Sequence, residues 1–92
     1  MSEDQVVVVK HQPEKSRFII DLDGERAGYA KYKVLDDGVW DFYSTVIDPK
    51  FEGKGLGSKL VNFALDYAEE AGKKARGTCP FVAVKMDRRA QK

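Results

Sequence analysis

Ninety-two residues, 42% hydrophobic and 34% charged, make one domain (residues 1–92) near the lower limit of what folds alone, burying only about 60 to 65% of its unfolded surface. Sixteen basic against fifteen acidic residues leave a net charge of +1, too little to hold nucleic acid by electrostatics alone. No apolar run approaches the roughly 20 residues of a spanning helix, and the start, MSEDQ, lacks the basic and apolar regions of a signal peptide; a cytoplasmic chain without membrane or nucleic-acid partners is expected.

Residues 5–11, QVVVVKH, are rich in β-branched side chains and predict a first strand, with His11 at its fraying end and on the surface. After a turn at Pro13 to Lys15, residues 16–23 alternate, with Phe18, Ile20 and Leu22 on one face. Asp23-Gly24 is a hairpin signal, and a strand over 25–35 follows, with Ala27, Tyr29 and Lys31 opposing Gly28, Ala30, Tyr32 and Val34. Asp36-Asp37-Gly38 turns the chain again. In the strand over 39–47, unbroken alternation sets Trp40, Phe42, Ser44 and Val46 against Val39, Asp41, Tyr43, Thr45 and Ile47.

An antiparallel meander with this aromatic content needs a cover. The helix over 56–71 supplies it, with Leu56, Leu60, Ala64 and Ala68 four apart and Val61, Leu65, Phe63 and Tyr67 beside them. Gly72 closes that helix, a short strand over 74–78 follows, and Pro80 suits the first position of a last helix over 81–89. The predicted order is ββββ-α-β-α, an α/β (α+β) fold. Lys73, Lys74, Arg76, Lys85, Arg88, Arg89 and Lys92 make the C-terminal fifth basic, read either as solvated helix ends and a tail or as phosphate partners. Cys79 has no disulfide partner in this chain, and one Cys with one His assembles neither a metal cluster nor a Ser/His/Asp arrangement.

The stretch TVIDPKFEGKGLGSKL runs from the end of a strand, through a loop with Gly53, Gly55 and Gly57, into the first turn of a helix. Such a junction leaves about four unpaired N–H groups and roughly half a positive charge, and the glycines let the backbone come close; a pyrophosphate is the natural guest. The dinucleotide fingerprint fails because Ser58 stands where its third glycine belongs, and no Gly-Lys-Ser/Thr triplet makes a nucleotide P-loop.

Glu52-Gly53-Lys54-Gly55-Leu56-Gly57 resembles the coenzyme A loop of the GNAT superfamily of N-acetyltransferases, R/Q-x-x-G-x-G/A, with Glu52 a departure at the first position. Thr78-Cys79, followed by Pro80-Phe81-Val82, extends the likeness to the very small GNAT-like proteins, over residues 16–89. The resemblance implies a GNAT-like fold that binds acetyl-CoA: Thr45, Val46 and Ile47 would meet the pantetheine arm, and Glu52, Gly53, Lys54, Gly55, Leu56, Gly57 and Ser58 the pyrophosphate. It also implies transfer of the acetyl group to an amine, of a small molecule or a protein; a monomer or weak dimer is expected. Ser44 stands where relatives often have His, no Tyr lies in the last helix, and the helices and strands that wall the acceptor site of larger members have no counterpart.

Two candidate catalytic residues emerge. Cys79, at a strand-to-helix junction near the expected end of the pantetheine arm, reads either as an activated thiol or as a small buried hydrophobe. Ser44 reads either as a proton relay through water or as a hydrogen-bonded strand serine. Asp41 and Asp48 are bases or solvated residues; Lys50, Lys54 and Lys59 are phosphate partners or solvated lysines. Two alternatives to an enzyme remain open: a CoA-binding or acyl-sensing module without turnover, and an interaction domain whose glycine loop is only a tight turn.

Overall fold

The computed structural model of the protein describes residues 6–90; the expected strand start at Gln5 and the tail residue Lys92 lie outside them. Strands β1 (Val7–Gln12), β2 (Arg17–Leu22), β3 (Glu25–Val34) and β4 (Trp40–Ile47) precede helix α1 (Leu56–Glu70), a short β5 (Ala75–Gly77) and helix α2 (Pro80–Ala90). They form one sheet in the order β1-β2-β3-β4-β5. The first four strands are antiparallel and β5 joins β4 in parallel, after the crossover through α1.

The punctuation is local chemistry. Asp23 and Gly24 both take positive φ, 53° and 83°, which a two-residue hairpin requires, and Asp23 also binds Val6 through backbone and side chain. Gly72 ends α1 with φ 75°: its N–H donates to the Glu69 carbonyl at 3.0 Å and that of Lys73 to Ala68 at 2.8 Å, which satisfies carbonyls the helix end leaves unpaired.

Phe18, Ile20, Leu22, Ala30, Tyr32 and Phe42 pack beneath Leu56, Leu60, Val61, Ala64, Leu65 and Ala68 of α1. Burial of each large side chain is worth about 1.5 to 3 kcal/mol. Val82 of α2 is fully buried in the same cluster, and Arg89 of α2 reaches Asp66 of α1 at 2.6 Å, so both helices cover one face. Phe63 and Tyr67 sit at the margin, partly exposed.

Two bulges overturn the unbroken alternation expected for β3 and β4. Lys31 pairs with Ser44 and Tyr32 with Phe42, so Tyr43 is an extra residue, and the strand's side-chain parity changes there. Thr45 and Ile47 therefore join Trp40 and Phe42 on the helix side, while Ser44 and Val46 turn to the opposite face. A second shift, between Ile20 and Asp21 against β3, brings Ala27 into the core instead of beside Tyr29.

Two residues are more enclosed than expected. His11 is not a surface residue: its ring stacks on Phe18 at 4.3 Å, meets Tyr67 at 4.5 Å, and its Nε2 shares a 2.6 Å hydrogen bond with the Tyr32 hydroxyl. Burial pushes the imidazole below its ordinary value, with Glu14 pulling the other way. Asp41 is 5% exposed rather than solvated, and it accepts a 2.8 Å hydrogen bond from the Thr78 hydroxyl, which satisfies a carboxylate that burial would otherwise penalise.

Candidate functional site

The loop between β4 and α1 is fixed at one end and open at the other. Asp48 accepts from the Lys50 N–H at 3.0 Å, Pro49 begins a short 3-10 turn, and Phe51, 6% exposed, anchors it in the core. Gly53 and Gly55 then take φ of 85° and 74°, in the left-handed region, and a Cβ built on either meets nothing within 4 Å. Their requirement is conformational, and the space beside them is free. Gly57 differs: its added Cβ would lie 3.1 Å from the Phe81 ring and 3.6 Å from Ile47, so it is small in order to seat α2 against α1.

Gly55 is the N-cap of α1. No side chain caps this helix start and no acidic residue lies in its first turn, so the N–H groups of Leu56, Gly57 and Ser58 point outward with the positive end of the helix dipole. They border a cleft of about 280 Å³ lined by Ile47, Phe51, Glu52, Gly53, Gly55, Leu56, Gly57, Ser58 and Phe81. Glu52 stands exposed on its rim. Lys54 is exposed and has no ion pair among the described residues, whereas Lys50 is committed to Glu25 at 2.6 Å.

Beyond this cleft β4 and β5 part. The N–H groups of Thr78 and Cys79 converge on the Phe42 carbonyl at 3.0 and 3.1 Å, the last link between the two strands. On the other side, Asp48 donates to the Ala27 carbonyl at 2.8 Å. Antiparallel alternation then pairs Val46 and Ser44 with β3, and the backbone groups of Thr45 and Ile47 face the gap that β5, ending at Gly77, does not fill.

Cys79 stands at the inner end of this gap as N-cap of α2; its carbonyl accepts from the Ala83 N–H at 2.9 Å. Its Sγ lies 3.8 Å from Thr45 Oγ1. Burial pushes the thiol up, but hydrogen bonds from the N–H groups of Val82 and Phe81 and from the Thr45 hydroxyl and N–H outweigh it, and the thiol falls below its ordinary value. Cys79 is thus a partly exposed, activated sulfur with defined donors. Ser44 is not beside it, because the bulge turns Ser44 to the opposite face; Thr45 meets the sulfur instead. Thr45 and Phe81 are the contacts that sequence reasoning did not assign to the thiol, and only the bulge at Tyr43 would have revealed the first.

A larger cavity, about 640 Å³, lies between the far ends of the helices, where Arg89 bridges Asp66 at 2.6 Å and Glu69 at 3.6 Å. Its Asp66, Glu69 and Arg89 are paired with one another, and no uncapped helix start opens on it. Among the described residues no group of three His, Cys, Asp or Glu could hold a metal ion, and no helix is long and apolar enough to cross a membrane.

The site thus joins a bulged strand that parts from its parallel neighbour to a glycine loop and an uncapped helix in a mixed α/β domain. Residues 17–92 match the family model of the GCN5-related N-acetyltransferases, and the chain belongs to that family. The spermidine N(1)-acetyltransferase of Escherichia coli is 29% identical over 58 residues, which are 62% of this chain and 31% of that protein; the chain thus spans about a third of this curated relative. Among solved structures, N-acetylglutamate synthase from Neisseria gonorrhoeae, complexed with coenzyme A and N-acetyl-glutamate, superposes with a TM-score of 0.57 at 19% identity, covering 73% of this chain and 18% of the other. The ribosomal-protein-alanine N-acetyltransferase from Brucella melitensis biovar Abortus gives 0.56 at 20% identity, over 83% and 62%. An aminoglycoside N-acetyltransferase in complex with CoA gives 0.55 at 16%, over 82% and 56%. These likenesses fix the fold.

Proposed function

We propose that the chain binds acetyl-CoA and transfers its acetyl group to an amine. The observation that carries this reading is the uncapped, glycine-built start of α1 opening on the same cleft that leads to the β4/β5 gap. The N–H groups of Gly53 to Ser58 hold the pyrophosphate, with Lys54 beside them; the turned-away backbone of Thr45 and Ile47 holds the amide-bearing arm. Acetyl-CoA supplies an activated thioester. The protein positions it, gives its carbonyl a backbone N–H near Ile47, and offers the Cys79 Sγ–H as the proton that the departing sulfur takes. The resulting Cys79 thiolate, held by the N–H groups of Phe81 and Val82, then accepts the proton that the amine gives up.

A second reading, a CoA-binding or acyl-sensing module without efficient turnover, has its own support: Asp41 is engaged by Thr78 and Ser44 faces away, so no carboxylate or imidazole adjoins the thiol among the described residues. One experiment separates the two. Calorimetry with CoA is expected to show binding, and acetyl-CoA with a panel of amines is expected to release CoA at a rate that falls at least about tenfold in Cys79→Ala. Binding without release on any amine selects the module; no binding at about millimolar CoA overturns both and leaves an interaction domain.

A further inference from the structure

Both helices cover one side of the sheet; on the other, the side chains of the strands themselves enclose Ile19, 2% exposed, and leave the longer cations at the surface. That face is cationic. Gln12 pairs with Arg17, Arg17 with Lys31, and Lys31 with Ser44, so one row of side chains crosses four strands, about 14 Å, and ends on the strand that borders the gap. Lys10 and Lys33 flank this row on the same face.

None of these four cations has an ion pair among the described residues. Arg17 Nε donates to Gln12 Oε1 at 2.7 Å, Lys31 Nζ lies 5.1 Å from the Tyr29 ring centroid, and Lys33 Nζ lies 6.0 Å from that of Tyr43. The carboxylates on this side are engaged elsewhere: Asp21 with Arg26 at 2.7 Å, and buried Asp41 with Thr78. With a net charge of only +1 on the whole chain, the concentration of unpaired positive charge here is local. Apolar surface lies among the cations, including Val8, 38% exposed, and Val46, 42% exposed.

Resting on the acetyltransferase reading, we infer that this face receives the acceptor, and that the acceptor amine belongs to an acidic peptide segment. The row ends at Ser44, next to Thr45 on the strand that borders the gap, so an amine carried along this face arrives beside it. Small-molecule sites are concave, whereas this surface is a sheet face whose length and mixture of Tyr, Arg and apolar groups suit an extended chain. Its field attracts carboxylates and repels a polycation.

The test is fluorescence anisotropy and CoA release with two peptides of equal length, each carrying one free amine, one rich in Glu and the other in Lys, with glutamate and spermidine as small-molecule probes. The Glu-rich peptide is expected to bind at least about tenfold more tightly than the Lys-rich one, and the preference is expected to shrink as salt rises from about 50 to about 300 mM. Arg17→Gln with Lys31→Gln should erase most of it while CoA binding, measured on the same sample, is kept. Equal binding of the two peptides, a preference for the Lys-rich peptide or spermidine, or acetylation of free glutamate as fast as of the peptide overturns the inference. If CoA itself fails to bind the unaltered protein, it is the acetyltransferase reading that falls.

Discussion

Two helix starts lie side by side at this cleft, and they solve the same problem in opposite ways. Each leaves N–H groups without partners inside the helix. At α2 the Cys79 sulfur takes those of Phe81 and Val82, so the demand is met by the chain itself. At α1 Gly55 supplies the left-handed turn and no side chain, so the demand is left for something outside. The difference teaches that, on the proposed reading, an anion site is made by withholding a cap, while the neighbouring capped end gains a tuned thiol.

Changes at these two ends should therefore separate binding from stability. The largest effect is expected from Gly55→Val, since a β-branched residue at φ 74° carries about 2 kcal/mol of strain or more and distorts the loop that aims the amides. CoA affinity by calorimetry should fall on the order of 100-fold, with a smaller loss of thermal stability. An unchanged affinity would mean the loop is not the anion site.

Cys79→Ala uncaps α2 and should cost about 1 kcal/mol in urea unfolding, with Cys79→Ser recovering most of it. Equal stability of all three proteins would remove the capping role. Because the folded thiol lies below its ordinary value, the thiolate's stabilisation is full above the unfolded value and is lost as pH falls through the folded one. Alkylation of Cys79 should correspondingly reach half its limiting rate at a lower pH than that of a thiol in the unfolded chain.

Away from the cleft, His11 offers a control on β1. Its folded value is depressed, so the neutral ring stabilises the fold fully above the unfolded value near 6.5, and that contribution is lost as pH falls from there through the folded value. His11→Gln should flatten this acid-side slope in thermal unfolding without altering CoA affinity. The smallest effect is expected from Gly57→Ala: its methyl must displace the Phe81 ring by a few tenths of an ångström, which should change stability by about 0.5 kcal/mol or less.

Most elements were legible because their boundaries carry residues with one conformational use: Asp23-Gly24, Gly38, Gly72 and Pro80 each mark a change of direction. The glycine loop was legible for the same reason, although the structure assigns Gly57 to helix packing and not to backbone freedom. What could not be read was parity. An extra residue at Tyr43 leaves the composition of β4 unchanged, yet it reverses which of Ser44 and Thr45 meets the thiol. The enclosure of His11 was equally hidden, since Phe18, Tyr32 and Tyr67 reach it from three other elements.

Because β5 stops at Gly77 while β4 continues to Ile47, the sheet lacks a few rungs at its centre of chemistry. On the proposed reading, an extended guest that pairs with the Thr45 carbonyl and the Ile47 backbone acts as a surrogate strand. The sheet is then completed by what it binds, and hydrogen exchange at the Ile47 amide should slow on complex formation even though no helix or hairpin rearranges.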